Sequence, residues 1–175
     1  MTGAILTKRI KPAKFEIKAF TDAFEKAAKK IAKEIKVEFE ITTIGWDTDV
    51  HFEELVSIGP NSVDILVATD NEIYGYVNDG TSPHKIRAKS GKRLAFMWGG
   101  PGSYQAKTAP GKKVHNPAGG NVVGGKFTRP MIVDHPGSEG RGFDKLITKE
   151  FKPKYKRAME KAMQEGAAKS GHAVR

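Results

Sequence analysis

Between Gly99 and Gly125 the chain places eight glycines and three prolines in 27 positions. A helix does not survive that density of glycine, and a stretch with so few side chains to bury cannot offset the entropy of ordering itself. Whatever the remainder builds must therefore carry a long loop or hairpin that adds little to its own stability. Tyr104 is the only aromatic within it.

The other residues of this 175-residue chain suffice for about one domain. Apolar residues make up 38% and charged residues 29%, a balance compatible with a folded core. There is no cysteine, which excludes disulfides, thiolate metal sites and a cysteine nucleophile. No apolar run approaches the roughly 18–20 residues of a membrane span. The opening MTGAILTKRIKPAK lacks the apolar centre of a signal peptide, so assembly in a cytoplasm is the expectation.

Charge is distributed unevenly. Residues 21–80 set five cations against thirteen carboxylates, whereas residues 81–135 set ten cations against one carboxylate. The whole carries a formal +10. An acidic first half and a basic second half suit two kinds of partner: nucleic acid, or further copies of the chain packed acidic face to basic face.

The hydrophobic period predicts the elements. Residues 1–19 are basic, contain Pro12 and read as an arm, with Phe15, Ile17 and Ala19 alternating as in a short strand. Phe20, Phe24, Ala27, Ala28, Ile31 and Ile35 recur at helical steps and predict an amphipathic helix over 21–36, with Thr21 as N-cap. Val37, Phe39 and Ile41 then alternate with Glu38, Glu40 and Thr42, predicting a strand. Residues 55–58 and 62–69, joined by Gly59-Pro60-Asn61, predict a hairpin. Strands are also expected over 73–77, 94–98 and 127–133, with a sharp turn at His135-Pro136-Gly137. Phe143, Ile147, Phe151, Tyr155, Met159 and Met163 predict a C-terminal helix to Gly166 that Pro153 kinks or divides. The expected class is α+β. A small sandwich-like antiparallel sheet packs with the two helices in a single domain over 20–165, carries residues 99–125 as a flexible hairpin insertion, and is followed by a tail over 166–175.

Several catalytic patterns fail on context. Gly120 to Gly125-Lys126 matches most of a phosphate-binding loop, but Phe127 stands where a Ser or Thr is needed, and a strand rather than a helix is expected to follow. His51, His84, His115, His135 and His172 have no partner at helical metal-site spacing. Asp47 and Asp49 would share one side of a strand and are the best candidates for a metal-dependent nuclease, yet carboxylates fill that whole region. Ser57, Ser62 and Ser103 lack a nucleophile-elbow context. No catalytic residue, metal ligand or cofactor site follows. Lys85, Arg87, Lys89, Lys92 and Arg93 form a basic cluster, and Lys107, Lys112 and Lys113 follow in the glycine-rich stretch. Such a set contacts phosphates through charge alone, without the interleaved aromatics that stack single-stranded bases.

Two segments carry a resemblance. Tyr76-Val-Asn-Asp-Gly-Thr-Ser-Pro-His84, continuing through Ile86 to Leu94-Ala-Phe-Met97, and Val133-Asp-His-Pro-Gly-Ser-Glu-Gly-Arg-Gly-Phe143 together resemble the neck and tail-completion proteins of long-tailed bacteriophages. That family shows a tyrosine-led strand ending in an acidic-Gly-Thr turn, a Pro-His, a basic stretch, a Leu-x-Phe strand, and later a His-Pro-Gly turn and an Arg-x-Phe helix start. These fall here on Tyr76, Gly80, Thr81, Pro83, His84, Leu94, Phe96, His135, Pro136, Gly137, Arg141 and Phe143. The chain departs from the pattern at Asn78-Asp79 and in the length of its insertion. The resemblance implies a structural virion protein without cofactor, forming a hexameric ring at the head–tail junction. Its partners would be its own copies, the connector or head-completion and tail-tube proteins, and genomic DNA passing through non-specifically. The basic cluster then becomes a candidate channel lining or subunit contact, and Gly80, Thr81, His135, Pro136, Gly137 and Arg141 become structural turns. The alternatives are a metal-dependent nuclease and a freestanding non-specific DNA-binding protein.

Overall fold

The computed structural model describes residues 16–100, 102–114 and 116–172. The expected basic arm over 1–19 falls mostly outside them, as does the end of the expected tail. The fold is mixed α+β, and its frame is a pair of long helices. Helix α1 spans Ile17–Thr42 and helix α3 spans Phe143–Lys169. They run antiparallel, for Gly166 lies against Phe20 at one end while Glu38 and Glu150 share the Lys113 ammonium at the other. A Cβ at Gly166 would come within 2.8 Å of the Phe20 ring, so a residue without a side chain is what lets the helices close there.

Helix α1 corrects two expectations. It runs through the predicted strand over 37–42, because the helical spacing continues past Ile35 to Phe39 and Thr42. Phe39 packs against both buried clusters and Thr42 is fully buried, whereas Val37 of the alternating pattern is exposed. The helix also starts earlier than expected. Glu16 is the N-cap residue, and Thr21 returns its hydroxyl to the Ile17 carbonyl at 3.2 Å from within the helix. Helix α3 is continuous over its length, with Pro153 inside it.

Strands β1 (Glu53–Ile58) and β2 (Val63–Ala68) form the predicted hairpin, antiparallel with Leu55 opposite Leu66. Its inner face packs on α1. The predicted strand over 73–77 is instead a short helix, α2 (Glu72–Asp79). Asn71 caps it by accepting from the Tyr74 amide at 3.1 Å, the local bond that turns an alternating apolar run into a helix start. The remaining strands pair two by two: β3 (Gly80–Thr81) with β8 (Ser138–Glu139), β4 (His84–Arg87) with β7 (Ile132–His135), and β5 (Phe96–Trp98) with β6 (Lys126–Thr128). The expected strand over 127–133 is thus divided between β6 and β7 by Arg129-Pro130-Met131. Among the described residues every ladder is two-stranded.

The core has two parts joined by Phe39. Val50, Phe52, Tyr74 and Phe143 form an aromatic cluster in which the Phe52 and Tyr74 rings meet edge-on at 5.0 Å. Ile31, Ile147 and Phe151 form an aliphatic and aromatic cluster between α1 and α3. Burial of each large side chain contributes about 1.5–3 kcal/mol, so these two clusters hold the body together. Burial also disfavours the Tyr74 phenolate and pushes its pKa up to about 12.

Candidate functional site

Residues 76–97 and 133–143 meet in space. Gly80 pairs with Glu139 and Thr81 with Ser138, and the Thr81 and Ser138 hydroxyls lie 3.1 Å apart. His84 stands opposite His135, with ring centroids at 4.9 Å. His84 Nδ1 lies 2.8 Å from the Ser82 carbonyl, and His135 Nδ1 accepts from the Gly137 amide at 3.1 Å. Each histidine ends a strand rather than lying in a turn, with a ring nitrogen tied to the adjoining turn, and their ring contact across the ladder had no signal in the sequence. The Arg141 amide donates to the Val77 carbonyl and the Gly142 amide to the Asn78 carbonyl, while Asn78 Oδ1 accepts from Asp144 at the start of α3. The end of α2 and the beginning of α3 are thus one corner.

Backbone contact makes the glycines of this corner necessary. Gly137 has φ +88°, and a Cβ there would lie 2.2 Å from the Thr81 carbonyl oxygen. Gly80 has φ +83°, with the Ser138 carbonyl oxygen at 2.4 Å from the same position. Only glycine accepts both the left-handed angle and the approach. The strand expected to lead from Tyr76 into the Gly80-Thr81 turn is absent: Tyr76 to Asp79 belong to α2, and only Gly80 and Thr81 are extended.

From the corner springs a long hairpin, His84 to His135. Its stem is the β4–β7 ladder, continued by Leu94 donating to the Pro130 carbonyl and by the β5–β6 ladder. Beyond Gly99 the glycine-rich stretch is still paired, with Tyr104 bridged to Val122 and Gln105 bonded to Asn121. Its tip bends back onto the body. The Gly111 amide donates to the Arg141 carbonyl, and Arg141 Nε donates to Thr108 Oγ1 at 3.2 Å. Arg141 therefore ties the corner to the hairpin tip. Trp46, Ile73, Val77, Tyr104, Lys107 and Arg141 line a cleft of about 330 Å³ between tip and body.

The basic candidates fall into two groups. Lys107 donates to Asp47 at 3.2 Å and to the Gly45 carbonyl, and Lys113 donates to Glu38 and to Glu150. These two lysines are used within the chain as ties for the tip. Partial burial works against the Lys113 charge, but its hydrogen bonds to Glu150 and Glu38 prevail and raise its pKa. The same bond to Lys113, then that to Lys154, holds the Glu150 carboxyl below its usual range. Lys85, Arg87, Lys89, Lys92 and Arg93 lie along the exposed stem and its Lys89–Gly91 turn, and Lys112 is exposed at the tip. Lys85 reaches Asp134 at 3.7 Å across the ladder, and Arg93 donates to the Arg129 carbonyl.

Apolar side chains accompany these cations on the outside. Ile86, Met97, Trp98, Phe127, Met131 and Ile132 of the stem are exposed, and none belongs to either core cluster. Reading by period assigns such residues to a strand but cannot tell that no second layer covers them.

Lys126 opens β6, with no helix behind it, and among the described residues no three of His, Asp and Glu converge as metal ligands. Among the same residues no helix is long and apolar enough to cross a membrane. No protein-family model, curated protein or solved structure matches the chain.

Proposed function

We propose that this is a structural virion protein of a tailed bacteriophage, of the neck or tail-completion kind, which assembles as an oligomeric ring around the DNA channel at the head–tail junction. The observation that carries the reading is the locked corner. The two separated segments that resemble the family are the two halves of one backbone-to-backbone junction, from which a basic hairpin extends without a core of its own. Such a hairpin suits a subunit whose stability is completed by neighbours. The exposed cations from Lys85 to Arg93 and Lys112 suit sequence-blind contact with a phosphate backbone or with acidic faces of adjoining subunits. The small sandwich-like packing of the antiparallel sheet with the two helices of one domain, expected from the sequence, belongs to the same proposal. Connector and tail-tube proteins are the remaining partners, and the reading needs no cofactor or bond chemistry.

Cryo-electron microscopy of the intact particle tests it. A ring of this chain at the head–tail junction is the expected result, and its location anywhere else rejects the reading. Incubation with plasmid DNA and magnesium or manganese separates the enzyme alternative: cleavage abolished by Asp47→Ala would replace a structural role with a nuclease.

A further inference from the structure

Two exposed faces of this chain are complementary, and they occur on different elements. On the outer face of the β1–β2 hairpin, Leu55 and Leu66 stand directly opposite each other, flanked on the same face by Glu53 and Asp64. Neither carboxylate has an ion-pair partner among the described residues. On the outer face of the β5–β6 ladder, Met97 and Phe127 stand directly opposite each other. The Arg129 guanidinium lies 5.6 Å from the Phe127 ring centroid, and Arg93 is bonded to the Arg129 backbone. Both faces are therefore cross-strand apolar pairs of similar width, one edged by anions and the other by cations. They do not cover each other within one chain, since the four apolar side chains remain 47–62% exposed.

We infer that the Met97–Phe127 face of one copy docks on the Leu55–Leu66 face of the next. This rests on the ring reading and names the surfaces that would build it. Self-docking of either face is disfavoured by charge: Arg129 and Arg93 would meet their own counterparts, and so would Glu53 and Asp64. Docking one face on the other removes both apolar pairs from water and sets Arg against carboxylate. Two different faces make a head-to-tail contact, the kind that closes into rings when the rotation permits.

Because the chain has no cysteine, single-cysteine variants test the contact cleanly. Leu66→Cys and Phe127→Cys are both exposed positions, and circular dichroism checks that each variant is folded. The expected result is that mixing the two under mild oxidation yields a disulfide-linked dimer that neither forms alone to a comparable extent. Dimers formed equally by Phe127→Cys alone would overturn the inference. Native mass spectrometry of the unmodified chain distinguishes the deeper failure. Oligomers without the mixed cross-link reject this contact and leave the ring reading standing, whereas monomers at every concentration reject both. As a second readout, Arg129→Glu should weaken assembly about tenfold or more, and adding Asp64→Lys should recover part of the loss. Equal weakening by both changes with no recovery counts against the pairing.

Discussion

The helical body and the hairpin stem are held by different forces. In the body, Phe52, Phe143, Ile147 and Phe151 are buried between α1, α3 and the β1–β2 hairpin. In the hairpin from His84 to His135, backbone ladders, glycine turns and a few side-chain ties do the holding, and Thr108 is its one buried residue among those described. The body buries two clusters of its own, although Leu55 and Leu66 on the outer face of its hairpin stay exposed. The stem turns Met97, Trp98, Phe127 and Ile132 to water. On the proposed reading, the exposed apolar side chains of this arm, with cations between them, serve as a contact surface rather than an incomplete core.

Breaking the body should cost most. Phe143 is fully buried, and Phe143→Ala should remove about 3–5 kcal/mol of unfolding free energy, read by urea denaturation. A loss under about 1 kcal/mol would mean that the aromatic cluster is not the support described. The corner comes next. Gly137→Ala combines a positive φ with a Cβ 2.2 Å from the Thr81 carbonyl oxygen, and should cost about 2–3 kcal/mol and loosen the base of the hairpin. Faster amide exchange at Thr81 and Ser138 would be its signature.

The tie at the tip is weaker. Lys113→Met should cost about 1 kcal/mol or less, since the Lys113, Glu38 and Glu150 side chains are all partly exposed to solvent. Limited proteolysis should then cut the stretch around Lys107–Val114 faster while leaving the body intact. The same tie gives a pH dependence. Glu150 is depressed in the folded chain, so its contribution is present above the usual carboxylate value of 4.5 and fades as pH falls through the lower folded value. Lys113 is raised, so its contribution is present below 10.5 and fades as pH rises through the higher folded value. Tip protection should hold between those limits and fall on both sides. Smallest of all is the stem: Phe127→Ala should change the stability of the isolated subunit by less than about 0.5 kcal/mol, while weakening assembly by about tenfold to a hundredfold.

What could be read in advance follows the same division. The β1–β2 hairpin and α3 were legible because alternation and four-residue spacing reflect a buried face. Gly80 and Pro136-Gly137 were legible as separate turn signals, but that Gly80 and Thr81 pair with Glu139 and Ser138 was not, because Thr81 and Ser138 are 57 residues apart in the chain. The segment 37–42 misled because Val37, Phe39 and Ile41 fit a strand locally, and only the longer series Ile31, Ile35, Phe39, Thr42 shows the helix that packing selects. Residues 72–79 misled in the same way, although Asn71 followed by Glu72 was a helix-start signal. At the candidate site, the basic cluster was visible as composition. That Lys107 and Lys113 are bound to Asp47, Glu38 and Glu150 was not, because those partners are about 60, 75 and 37 residues away in the chain.

The central claim is that the stem is a surface for further copies of this chain. Native mass spectrometry across a concentration series tests it most directly. The account predicts one discrete closed oligomer that grows with concentration and disappears in Phe127→Ala at concentrations where the unmodified chain still assembles. A single monomer peak throughout, unchanged by that substitution, would contradict it.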